Sequence, residues 1–576
     1  MFQTKALGRW LSAAALLALL AGPAAAQTAP PTRAETVAAM KKATRYMMDK
    51  VAYRAGFLWN YTPDLSRGWG EMEAYRTMVW MQSPGTSTVG HMLLDAYHAT
   101  GDEYFYHQAV RVAETVIRAQ HKAGGWHYMY DYAGERSIKR WYETIGSNGW
   151  RLEEFLHYYG NATFDDAVTT EAATFLLRMY LEKGEHRFRN AVQRAADFIV
   201  QAQYHNGGWP QRHPYAGSWS YKGKPDYTRY ITLNDNVAQE NIQFLVEVYQ
   251  TMGLSYLLPT IQRAMDVFIE MQGPPGQPAF ALQYTPSLQP IGARTYEPDS
   301  YATHTTQSAV QNLLVFYEIT ADPKYLQPID EAIDWLDRVR LPADYPNKPS
   351  NRTHATFIEF GTDDPIFVKR KGTNIVNGAY YAEVDPNWKS WPVGQDPSVV
   401  PSANYITHYN SWRDINTTAL RTRKASLEAK TPEELRATSP LHATGLQLPS
   451  FFSFKDIDLL DLINAGNGMP AGDVSTPAAQ AISEISTADY WAIGTATPNE
   501  ISNPYIGPGP SSYEGDPNYA GNPLMYSQAK VGDRWDTSPY DNVKAPVQPL
   551  ISTRQFITKM GVLMRHVYNL DHPVTP

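Results

Sequence analysis

Three observations predict an all-α fold, an (α/α) toroid of repeated helical hairpins. Gly101, Gly184 and Gly253 are each followed 19 residues later by a glutamine, Gln120, Gln203 and Gln272. In two copies Gly-Gly-Trp follows four residues after the glutamine, at Gly124 to Trp126 and Gly207 to Trp209. Between glycine and glutamine, "FYHQAVRVAETVIRA" and "FRNAVQRAADFIVQA" place apolar residues three and four apart, the spacing of one helix face. A single hairpin cannot bury that face, so successive hairpins must stack or close into a ring.

The elements follow in order. Residues 1–26, with Lys5, Arg9, "LSAAALLALLAGP" and Ala24 to Ala26, read as a secretory signal, which places the product in the periplasm or outside the cell. Residues 27–345 hold the toroid. The first helix of each hairpin lies in "TVGHMLLDAYHAT", "TTEAATFLLRMYLEK", "AQENIQFLVEVYQTM" and "SAVQNLLVFYEIT". These end at Gly101, Gly184, Gly253 and Ala321, where a left-handed backbone is easiest for glycine. Residues 346–400 carry short β-prone runs expected to complete the cleft. Residues 401–576 form an irregular extension, Pro- and Gly-rich from Asn503 to Leu524. Near its end Phe556, Met560, Leu563 and Val567 make one helical stripe, a helix expected to dock on the toroid.

The absence of cysteine among 576 residues excludes disulfides, and the length suffices for a self-supporting core. A net charge of −8 argues against a broad nucleic-acid surface, and no stretch after the signal is long and apolar enough for a membrane span. A monomer is expected. The 38 Tyr and 15 Trp supply rings either for helix interfaces or for stacking on sugars. Trp59, Tyr61, Trp126, Tyr128 and Trp209 fall in connecting segments, where binding residues concentrate.

Eighteen residues before each helix-ending position stand Ser83, Asp166, Asp235 and Thr303, each at or just before the start of the first helix of its copy. In a regular ring these positions share one rim. Asp165, Asp166 and Asp235, with Asn234, exceed what N-capping requires. Carboxylates and an amide near helix N-termini suit a hard cation with oxygen ligands. Ca2+ is the leading candidate and magnesium the alternative; zinc lacks its usual cysteine or paired-histidine ligands here. His304, beside Thr303, is a further candidate for substrate contact.

"TFDDAVTTEAATFLL", "QAQYHNGGWPQRHP", "YITLNDNVAQ" and "LQYTPSLQPIGARTYEP" succeed one another as do the corresponding blocks of family 10 polysaccharide lyases, the pectate lyases. The chain resembles a long-form member over roughly residues 50 to 370. The resemblance implies a groove for an acidic polysaccharide, pectate or homogalacturonan. It further implies calcium bridging Asp165 and Asp235 to a uronate carboxylate, with Asp166 beside them. Arg294 in "GARTYE", followed by Tyr296, falls on the arginine that removes the C5 proton. A neighbouring metal and a cationic cleft are expected to lower the pKa of that arginine.

The chain departs from the pattern where the family reads "ARFYExxTNRP" and this sequence has "ATFIEFGTDDP". Thr356 replaces an arginine expected to bind a substrate carboxylate, and Asp363-Asp364 replace Asn-Arg. Compensation is sought in Lys369 to Lys371, in Arg212 or in Arg229, while Trp126 and Trp209 complete the candidate substrate contacts. Two other readings stay open: an inverting glycoside hydrolase acting on an acidic polysaccharide, and a non-catalytic binding protein for acidic glycans.

Overall fold

Each sequence repeat is a helical hairpin in the structure, a computed structural model. It describes residues 29–146, 153–217, 220–221, 224–371, 379–390, 411–442, 447–453, 468–469, 472–485, 489–496 and 548–573. The expected signal at 1–26 and the Pro- and Gly-rich stretch from Asn503 to Leu524 lie outside the described residues.

After α1 (Arg33–Tyr46) the hairpins run α2 (Thr86–Thr100) with α3 (Glu103–Ala119), then, past α4 (Glu135–Thr144), α5 (Val168–Lys183) with α6 (His186–Ala202). They continue as α7 (Val237–Met252) with α8 (Leu258–Glu270), and α9 (Thr303–Thr320) with α10 (Ile329–Arg338). The first helix of each pair is buried nearly all round, and the second buries one face only. That division makes an inner and an outer ring, because an amphipathic stripe faces the core while an all-apolar helix must be enclosed. The architecture is the predicted (α/α) toroid.

Gly101, Gly184 and Gly253 cap α2, α5 and α7 with φ of +67°, +71° and +70°. Ala321 caps α9 at φ +57°, a conformation costing a residue with a Cβ roughly 1–2 kcal/mol. Ala321→Gly therefore stabilises the chain by about 0.5–1 kcal/mol after the extra unfolded-state entropy of glycine is subtracted. Chemical denaturation of the variant should show the midpoint rising with an unchanged slope.

The repeated glutamines are braces. Gln120 Nε2 donates to Gly124 O at 2.6 Å and to Ala191 O of α6 at 2.9 Å. Gln203 Nε2 does the same to Gly207 O at 3.0 Å and Thr260 O of α8 at 2.9 Å. Gln272 Nε2 reaches Pro328 O, just before α10, at 2.7 Å. Each ties the turn leaving one outer helix to the next outer helix. The first glycine of each Gly-Gly-Trp has positive φ (+119° at Gly124, +98° at Gly207), and a Cβ there would meet the carbonyl of Arg194 or Arg263 at 2.3 or 2.0 Å. Only glycine fits so close an approach.

The two ends of the chain build one further hairpin. α11 (Thr417–Glu428) and α12 (Pro432–Ala437) pack on α9, and α13 (Ser475–Ser483) lies against α14 (Thr553–Asp571). Strand Gln548–Ser552 pairs antiparallel with Asn60–Tyr61, which delivers α14 onto α2 with α1 behind it. Phe556, Met560, Leu563 and Val567 are all buried there, as their stripe predicts. Strands Ser300–Ala302, Phe357–Glu359, Pro365–Lys371 and Ala379–Val384 form an antiparallel sheet beside the start of α9. Among the described residues no helix is long and apolar enough to cross a membrane.

Opposite the rim, residues 439–442 and 447–453 cross the ends of the inner helices. Gln250 donates to Pro440 O, and Ser439 to Ile319 O. The buried pair Arg178–Asp95 (2.6 Å) receives the backbone N–H groups of Phe452 and Ser453 on Asp95 and the carbonyl of Ser450 on Arg178. On the same inner wall Glu247 is fully buried between Thr174 and Gln243, and burial pushes its carboxyl up to about 7. The folded chain thus holds a proton that the unfolded chain releases near 4.5. The resulting stability is complete below that value and is lost as pH rises through 7. Glu247→Gln should flatten stability between pH 5 and 8 and raise it at pH 8 by about 1–3 kcal/mol, read from denaturation midpoints across that range.

Candidate active site

Two turns of the same shape carry the carboxylates. Asp165–Ala167 and Asn234–Asn236 are single helical turns ahead of α5 and α7. In each, two successive residues are left-handed: Asp166 and Ala167 at +59° and +55°, Asp235 and Asn236 at +55° and +57°. Such strain costs of order 1 kcal/mol per residue and persists where surrounding structure enforces it. Here short ladders do so, Ala162–Thr163 against Arg212–His213 and Ile231–Thr232 against Gln283–Tyr284. The result brings one oxygen from each of Asp165, Asp166 and Asp235 within 4.8 Å of the others.

Each carboxylate is gripped at one oxygen. Asp165 Oδ2 accepts from Tyr128 OH at 2.6 Å and Gln211 Nε2 at 3.0 Å. Asp166 Oδ2 accepts from Gln82, which accepts in turn from the Trp80 indole at 2.8 Å. Asp235 Oδ2 accepts from Asn234 Nδ2 at 2.7 Å, and Asn234 is itself fixed by Gln283 at 2.7 Å. Asp165 Oδ1 and Asp166 Oδ1 are buried without a hydrogen-bond partner. Burial and the repulsion of Asp165 hold the carboxyls of Asp166 and Asp235 well above the usual range. Buried, bare, mutually repelling carboxylate oxygens, each oriented by an outer hydrogen bond, fit a metal ion bound through oxygen.

Arg294 is 1% exposed and lies beside this cluster. Its Nε and Nη2 donate to the two oxygens of Glu297 at 2.9 and 2.7 Å, and its backbone N–H donates to the same carboxylate. That grip leaves Nη1 without a hydrogen bond, 3.6 Å from Glu154 Oε2 and 3.8 Å from Asp165 Oδ2. Among the described residues carboxylates, rather than the expected cationic cleft, surround Arg294. Burial opposes its charge, but Glu297 and Glu154 outweigh burial and raise its pKa well above the ordinary value.

The remaining sequence candidates separate. Asn234 and Tyr296 join the site as orienting groups, Tyr296 OH donating to Glu154 Oε2 at 3.2 Å. Trp126 and Trp209 are corrected: they are 0% and 1% exposed, and their indole N–H groups donate to Val116 O and Ile199 O of the preceding outer helices. Neither presents a ring face to a sugar. Arg229 is exposed, its guanidinium 4.6 Å over the Tyr215 ring. His304 lies in the first turn of α9, and burial together with Arg413 pushes its pKa well below the ordinary value. Arg212 is 2% exposed beside Gln211. Thr356 is buried, its backbone bonded to Ser411 and Thr303. Asp363 accepts from Gln277, Trp335 and Arg338, and Asp364 accepts from Trp388, so both substituted aspartates brace the fold. The side chains of Lys369 to Lys371 lie outside the described residues.

Sequence reasoning placed Tyr128 in a connecting segment without its role and missed Gln82, Gln211, Glu154 and Glu297. A shared signal existed for Gln82, Tyr128 and Gln211: each stands two residues after a tryptophan, in Trp80-Met81-Gln82, Trp126-His127-Tyr128 and Trp209-Pro210-Gln211.

Among solved structures, the chain is similar to a mutant of a family 10 polysaccharide lyase from Cellvibrio cellulosa in complex with trigalacturonic acid. The identity is 17%, covering 44% of this chain and 79% of that one, with a TM-score of 0.33. It is also similar to a D-mannose isomerase at 11% identity, covering 57% and 74%, with a TM-score of 0.35. A third likeness, at 9% identity over 53% and 69% and a TM-score of 0.34, is to cellobiose 2-epimerase from Spirochaeta thermophila. At these scores the likenesses carry nothing about activity. No curated protein matches the chain. Residues 147–380, which hold all three aspartates and Arg294, match the family model described as pectic acid lyase; that segment belongs to the pectic acid lyase family, and the enzyme is a polysaccharide lyase.

Proposed function

We propose that this enzyme cleaves pectate by calcium-dependent β-elimination, with Asp165, Asp166 and Asp235 as metal ligands and Arg294 as the group that takes the C5 proton. The observation that carries this reading is the trio of aspartates, Asp165 and Asp166 buried and Asp235 half-buried, with two bare oxygens, facing an arginine whose Nη1 is the only unbonded nitrogen of its guanidinium. Bound calcium would supply positive charge to the uronate carboxylate, where negative charge grows as the neighbouring C5 proton leaves, so the gain is larger in the transition state than in the ground state.

The residues do the rest. Glu297 holds two nitrogens of Arg294 and leaves the third, Nη1, without a hydrogen bond on the side of Asp165. Tyr296 fixes Glu154, and Tyr128 with Gln211 fixes Asp165. Because carboxylates keep Arg294 charged, the reaction runs fastest at alkaline pH, where more of it can accept a proton. Arg294 takes the C5 proton, the freed electron pair forms the C4–C5 double bond as the C4–O4 bond breaks, and the departing O4 takes up a proton to become a hydroxyl, so an unsaturated uronide is left and no water is consumed.

The test is ultraviolet absorbance of the conjugated uronide from polygalacturonate, with calcium and with chelator. A calcium-dependent rise supports the reading. New reducing ends without absorbance would replace it with hydrolysis, and binding without either product would leave a glycan-binding role.

A further inference from the structure

Among the described residues Arg212 carries a charge with no counter-ion. It is 2% exposed, and among the described residues no carboxylate lies within ion-pair distance. Nη1 meets His127 Nε2 at 2.8 Å, whereas Nε and Nη2 have no partner. His127 must accept that bond, so it is neutral and balances nothing. Asp226 caps its own turn through Oδ1 to Thr228 while its Oδ2 is buried without a hydrogen bond, and it makes no ion pair with Arg212. Ring faces of Tyr159 at 4.5 Å and Tyr128 at 5.2 Å line the guanidinium. They compensate a desolvated cation only in part.

The unpaired atoms are informative as a set. Nε and Nη2 form one edge of the guanidinium, the edge whose two parallel N–H bonds match a carboxylate. Arg294 uses that same edge for Glu297. The two sites adjoin, since the Tyr128 ring under Arg212 ends in the hydroxyl that holds Asp165.

We propose that the open Nε–Nη2 edge of Arg212 is a subsite for the carboxylate of a second uronate, adjacent in the chain to the sugar held at the aspartate cluster. This rests on the lyase reading for the identity of the ligand. It assigns a carboxylate clamp to a different loop from the buried Thr356. At 2% exposure the edge admits a carboxylate only if the rings around it, Tyr159 at 4.5 Å among them, turn aside. A methyl ester on that sugar removes the charge that Arg212 pairs with, so the subsite selects for free acid.

Calorimetric binding of trigalacturonate and of its fully methyl-esterified form, in chelator to suppress turnover, compares wild type with Arg212→Gln. The expected result is about tenfold or greater weakening for the free acid and no change for the ester. Equal weakening of both forms would reduce Arg212 to a structural role, and unchanged affinity for the acid would place its carboxylate elsewhere; either overturns the proposal. Should Arg212→Gln lose its thermal transition, Arg212→Lys decides, because it keeps the charge without the edge and weakens the acid alone. Failure of the wild type to form unsaturated product, with this selective loss intact, would remove the lyase reading and leave the subsite.

Discussion

Asp165→Ala lowers turnover of polygalacturonate by roughly 10²–10³-fold, the scale of removing one preorganised stabiliser of transition-state charge. Asp165 is the member of the trio most strongly built in, with Tyr128 and Gln211 on one oxygen and a bare second oxygen turned to the cluster. Its charge is also a main cause, after burial, of the raised carboxyls at Asp166 and Asp235. Removing it therefore relieves repulsion in the metal-free chain while taking away a ligand. Two opposite shifts follow. In chelator the variant melts no lower than wild type, because relief at Asp166 and Asp235 offsets the stranded Tyr128 and Gln211. With calcium the wild type gains about 2.7 kcal/mol at a hundredfold excess over Kd, and the variant gains almost none. Thermal scans with and without calcium check both halves. A variant that kept the calcium-induced shift would show that the ion binds elsewhere.

The position of this cluster was legible because a repeat period converts sequence distance into shared position on a ring, so counting back from Gly184 and Gly253 reached Asp166 and Asp235 directly. The groups that grip them were not legible in that way. Tyr128, Gln211 and Gln82 arrive from loops of neighbouring repeats, and only the ladders at Ala162–Thr163 and Met78–Trp80 set which loop faces which carboxylate. The loop tryptophans misled for a related reason. A connecting segment in a toroid can run beneath the rim as well as over it, and Trp126 and Trp209 go beneath, each sealed by a bond to a helix carbonyl. The hairpin of α14 and α1 left no period to count, since its halves come from opposite ends of the chain and meet through Asn60 and Ser552. Nor does sequence distance report charge: the carboxylates around Arg294 reverse the expected cationic cleft, Glu297 coming from its own segment while Glu154 and Asp165 come from a segment far away in the chain.

Arg294→Ala should combine a stability loss with a catalytic one, and the pair of variants Arg294→Ala and Arg294→Lys separates them. Alanine leaves Glu297 and Glu154 buried without their cation, which costs about 3–5 kcal/mol by the usual scale for a broken interior ion pair. Turnover falls by roughly 10²–10⁴-fold if the missing nitrogen is the proton acceptor. Lysine restores a positive charge to Glu297 and so recovers most of the melting temperature. It cannot hold Glu297 by two parallel bonds while also presenting a third nitrogen toward Asp165, because its ammonium is a single point on a flexible stem. Lysine therefore rescues the fold without rescuing kcat. Melting curves beside the ultraviolet assay at several alkaline pH values supply the comparison. If the lysine variant came within about tenfold of wild-type kcat, positive charge alone would suffice at this position, and the proton would have to leave C5 to another group; a tenfold difference amounts to only about 1.4 kcal/mol of the barrier.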